Sequence, residues 1–124
     1  MDIGIAKTLE KLQTQLNLDV RVHLSRNPFL KDPTARALEV FNYENLTQTK
    51  ERNSILIYLN LKLRNFCLLS DTGLHKKLGQ KYWDELGAQF REDLLSTHYE
   101  NAVVILLFTL MDRLKKVYPK TISS

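Results

Sequence analysis

Cysteine is almost missing from these 124 residues: Cys67 is the single one, so no disulfide closes within the chain. It lies inside an apolar run, where a small buried hydrophobe is the expected role and a reactive thiol is not. Glycine is scarce too, with four residues, and neither a Walker loop nor a nucleophile elbow occurs. No apolar run is long. The longest, Ala102 to Met111, is interrupted by Thr109 and falls short of the roughly 20 residues that cross a bilayer. The opening residues, Met1–Asp2–Ile3–Gly4–Ile5–Ala6–Lys7, show no basic leader, no apolar stretch and no cleavage site. A soluble, cytoplasmic protein without direct membrane insertion is therefore expected. The net charge is a mild +4, and the basic residues are scattered as Lys50–Arg52, Lys62–Arg64, Lys76–Lys77 and Lys115–Lys116. Without a continuous basic stripe and interleaved aromatics, nucleic acid is not an expected partner. His23, His75 and His98 lack the spacing of a metal motif.

What is present reads as alternating helices and strands. Ile5, Leu9, Leu12 and Leu16 recur at three and four, which marks one face of a helix. Leu18 to Leu24 alternates apolar and polar residues, the pattern of a strand with one covered face. Asn27–Pro28 ends it. Asp32–Pro33 predicts an N-cap followed by proline at the first helical position, with Ala37, Leu38 and Phe41 as the buried face. Asn45 to Asn53 reads as a loop. Ser54 to Leu59 and Phe66 to Ser70 read as strands joined by a short turn, hence an antiparallel hairpin. The preceding strand–helix–strand run favours parallel pairing of the first two strands. After Gly73 the spacing of Leu74, Leu78, Tyr82, Trp83, Leu86, Phe90 and Leu94 is helical, with Gly79 as a break. The Tyr82–Trp83 pair suits a core better than a binding platform. Glu100 to Val117 is apolar on most of its circumference, the pattern of a helix buried against a sheet. The expected architecture is one α/β domain over residues 1–124, a small mixed sheet flanked by helices on both faces (an α/β/α sandwich).

The strand ends carry the polar residues of interest. Asp71–Thr72–Gly73 has the letters of an aspartic-protease triplet. That chemistry needs two carboxylates sharing a proton, and here a helix follows at once. Asp71 as the cap of that helix is the simpler reading. A hairpin places the start of one strand beside the end of the next, so Asn53 and Asp71 should be neighbours. Asp19 joins them if the first strand is parallel to the second. Two carboxylates and an amide at one rim suit a hard divalent cation, calcium or magnesium. His75 follows Asp71 by one helical turn and is a candidate ligand contact.

Taken in order, these segments resemble the TPM domain, a small α/β domain of bacterial proteins and of a plant thylakoid-lumen protein. The resemblance rests on Leu18–Asp19–Val20–Arg21–Val22–His23–Leu24, on Arg52–Asn53–Ser54 before Ile55–Leu56–Ile57–Tyr58–Leu59, on Ser70–Asp71–Thr72–Gly73–Leu74, and on Tyr82–Trp83. Asp19 stands where the family has Glu, and Ser54 and Ser70 where it has Gly. The resemblance implies a layered α/β/α domain, a divalent-cation site in some members, phosphatase activity in the plant branch, and accessory roles in membrane complexes. Three functions follow as expectations. The first is a binding or accessory TPM protein with a cation held by Asp71, Asn53 and Asp19. The second is a metal-assisted phosphatase with Lys50 or Arg52 as the anion contact. The third is a protein-interaction module that uses the final helix around Val103, Leu106, Leu107 and Leu110.

Overall fold

The computed structural model of the chain describes residues 3–16, 18–43 and 54–117. The elements in order are α1 (Ile3–Leu16), β1 (Asp19–Ser25), α2 (Pro33–Tyr43), β2 (Ser54–Asn60), β3 (Asn65–Ser70), α3 (Thr72–Leu78), α4 (Gln80–Ser96) and α5 (Tyr99–Val117). This is an α/β fold with a small mixed sheet. The expected loop at 45–53, with Lys50, Arg52 and Asn53, lies outside the described residues. The chain divides into two compact units, Asp19–His75 and Met1–Leu18 with Lys76–Ser124.

The first unit is built on the sheet, in strand order β1–β2–β3. β1 runs parallel to β2, with Asp19 opposite Ser54 and His23 opposite Tyr58. β3 returns antiparallel, with Ser70 opposite Ile55 and Cys67 opposite Tyr58. β2 is buried at every residue. A strand covered on both faces reads as a continuous apolar run rather than an alternation, and Ile55 to Leu59 does so. Leu56 and Tyr58 share a core with Ala37, Val40 and Phe41 of α2, and Cys67 and Leu69 pack against it. Val20, Val22, Ile55, Ile57 and Leu59 are buried as well. Each such side chain contributes about 1.5–3 kcal/mol.

One assignment on α2 is corrected. Leu38 is 47% exposed, and Val40 takes its place in the core. Apolar residues stand at 37, 38, 40 and 41, and only one choice of three follows the i, i+3, i+4 geometry of a single stripe. Helix entry follows the expected route. Asp32 Oδ1 accepts from the backbone N–H groups of Thr34 (3.1 Å) and Ala35 (3.2 Å).

The hairpin turn is organised by Asn60, which is wholly buried. Its amide donates to the Asn27 carbonyl at 3.0 Å, and its Oδ1 accepts from the N–H groups of Lys62 and Leu63, both at 3.1 Å. Arg64 closes the turn at φ 57°. Only glycine enters that region without a Cβ penalty, which is about 1–2 kcal/mol for other residues. Arg64→Gly relieves it but adds backbone entropy to the unfolded chain. The balance should raise the thermal midpoint by about 2–4 °C, read from a thermal melt. A lowered midpoint would show that the Arg64 side chain contributes more than its backbone costs.

The second unit is helical. α5 packs against α1 and α4. The α1 face is the expected one, with Ile5, Leu9, Leu12 and Leu16 buried. α4 buries Trp83, Leu86 and Phe90, and Arg113 of α5 lies 4.9 Å from the centre of the Tyr82 ring. Gly79 separates α3 from α4 at φ 87°, a conformation that glycine adopts freely.

Candidate functional site

Three chain segments meet at one rim of the sheet. Parallel pairing sets Asp19, the first residue of β1, opposite Ser54, the first residue of β2. Just beyond the end of β3, the Asp71 N–H donates to the Ser54 carbonyl at 2.9 Å. The backbone thus brings Asp19 and Asp71 to either side of Ser54. Asn53, the residue before Ser54, lies outside the described residues, as do Lys50 and Arg52.

Asp71 is buried, with 3% of its surface exposed. Its Oδ1 accepts from the Thr72 N–H at 2.8 Å, and its carbonyl accepts from the His75 N–H at 2.9 Å. It is the N-terminal cap of α3. A negative charge there is favoured by the unpaired N–H groups and the dipole of the helix. Asp19 is partly exposed, and its Oδ1 receives the Arg21 Nε–H at 2.8 Å. Residues two apart on a strand share a face, which puts this pair side by side. An exposed pair of this kind contributes about 0–1 kcal/mol, so it orients Asp19 more than it stabilises the fold.

A hard cation takes oxygen donors, six to eight of them for calcium. The rim offers two carboxylates and a serine, which is the right donor chemistry. It does not complete a cage: among the described residues no group of three or more His, Cys, Asp or Glu could hold a metal ion. His23 stands elsewhere, its ring stacked on Tyr58 at 5.7 Å and 17°.

Cys67 is half-buried on the α2 side of β3. Burial pushes its thiol up, the Asp32 charge adds to the rise, and a hydrogen bond with Thr34 works against both. Such a thiol is a poor nucleophile at neutral pH. Val103, Leu106, Leu107 and Leu110 of α5, the residues expected at a partner surface, are all buried. No helix among the described residues is long and apolar enough to cross a membrane. Sequence reading passed over Arg36, Glu39 and Tyr43. The signal was available: 36, 39 and 43 follow helical spacing and mark a flank of α2 beside its core face.

Comparisons with known proteins agree with this architecture. The model of the TPM domain family matches residues 4–113, and the chain belongs to that family. The NMR structure of the BA42 protein from the psychrophilic bacterium Bizionia argentinensis superposes with a TM-score of 0.83 at 21% identity, over 93% of this chain and 79% of that one. The N-terminal domain of a protein from P. gingivalis superposes with a TM-score of 0.80 at 12% identity, over 96% of this chain and 79% of that one. At these identities the likeness is one of fold. No curated protein matches the chain.

Proposed function

We propose that this TPM domain is a binding or accessory domain that holds a divalent cation, calcium or magnesium, at the rim where β1 and β2 begin and β3 ends, and that it serves a protein partner. The observation supporting this reading is the buried Asp71 carboxylate, tied by its own N–H to the Ser54 carbonyl opposite Asp19. Asp71 and Asp19 would be the charged donors, with Asn53 the neutral one. A bound cation would supply charge to orient a carboxylate or phosphate group of a partner. The reading assigns binding rather than turnover. The half-buried thiol of Cys67 is pushed up by burial and packs against the α2 core.

Isothermal titration with calcium and magnesium tests it. Saturable binding by the unmutated protein is expected, weakened about tenfold or more in Asp71→Asn, because the substitution removes a charge from a charge-assisted contact. Absence of heat from either cation would remove the proposal. Hydrolysis of an aryl phosphate that survives purification and disappears in Asp71→Asn would replace it with a metal-assisted phosphatase.

A further inference from the structure

The flank of β1 beside α2 holds a second, different site. β1 is an edge strand, and α2 packs over β2 and β3. His23 is the register partner of Tyr58, which belongs to the α2 core, so Arg21 and His23 lie on the sheet face that α2 covers only in part. A cavity of about 370 Å³ opens there, lined among the described residues by His23, Arg36, Glu39, Val40 and Tyr43. That is the scale of a small-molecule pocket.

The lining has a definite chemistry. Arg36 is the key cation. Its Nη1 is 3.6 Å from Glu39 Oε2, too long for a hydrogen bond, and its Nε is buried without a hydrogen-bond partner among the described residues. A third of the Arg36 side chain is exposed. Arg36 therefore brings an incompletely hydrogen-bonded cation to the cavity lining. A planar carboxylate matches it in shape and charge. The remaining lining is flat or apolar: the His23 ring, backed by its stack on Tyr58, the small accessible surface of Val40, and Tyr43, which is 88% exposed. Glu39 repels a second negative charge, which disfavours phosphate and dicarboxylates.

We propose that the groove between β1 and α2 binds a small aromatic monocarboxylate, its carboxylate on Arg36 and its ring against His23, Val40 and Tyr43. Benzoate is the probe, titrated into the 15N-labelled protein in the presence of a chelator, so that no rim cation takes part. Saturable amide shifts centred on residues 23, 36 and 43 are expected. Arg36→Gln should weaken binding about tenfold or more. Glu39→Gln should tighten it severalfold, a gain that misfolding cannot imitate. Benzamide, the neutral isostere, should bind at least about tenfold more weakly than benzoate. Unsaturable or dispersed shifts would overturn the proposal. So would binding of benzamide or inorganic phosphate as tight as that of benzoate, or an unchanged affinity in both variants.

Discussion

Leu107→Ala is expected to lower the unfolding free energy by about 3 kcal/mol, within the roughly 2–5 kcal/mol range of buried leucine truncations. Leu107 has no exposed surface, and α5 is held between α1 and α4. The loss has two parts. The removed methyl groups forfeit their transfer free energy, and the space they leave does not close fully. For a chain of this length the thermal midpoint should fall by about 10 °C. The neighbouring residue supplies the control. Phe108 is 42% exposed, with Lys11 Nζ 5.8 Å from the centre of its ring. Phe108→Ala should cost about 1 kcal/mol or less. Chemical denaturation of both variants checks the contrast. Equal losses would mean that the phase of α5 differs from the one described.

Asp71→Ala should cost about 2 kcal/mol. The cap itself accounts for about 1 kcal/mol. The rest comes from emptying a side-chain position that is 3% exposed. Asp71→Asn keeps an oxygen at that point and should recover more than half of the loss. The two substitutions therefore separate two roles. If the cap were the whole purpose of Asp71, Asn would restore stability and leave any cation affinity untouched. If Asp71 is also a cation donor, Asn restores stability while the affinity stays low. Denaturant midpoints and calorimetry on the same two variants decide between these outcomes.

Much of this arrangement was legible in the residue order. The hairpin, the parallel partner, the Asp32 cap and the Gly79 break follow from local chemistry, in which a few adjacent residues carry the whole signal. The rim was legible for a related reason. Strand direction alone determines which ends meet, so Asp19 and Asp71 could be expected at one rim without any knowledge of packing, whereas Asn53, expected with them, lies outside the described residues. Leu38 was not legible. Leu38 and Val40 compete for the core face of α2, and the stripe that wins depends on where the helix sits over Leu56 and Tyr58. The groove at His23 and Arg36 was hidden for the same cause. It exists because α2 lies over β2 and β3 rather than over β1, and no single segment encodes that offset.

The strand connections also set an order of assembly. β2 and β3 are joined by a tight turn, and their pairing demands little loop closure. The β1–β2 ladder links partners far apart along the chain, and such contacts form more slowly. The expected order is that the hairpin seats Asp71 beside Ser54 first and Asp19 pairs there afterwards. A partly unfolded chain that keeps the hairpin would carry the Asp71 carboxylate beside Ser54 without Asp19 opposite it.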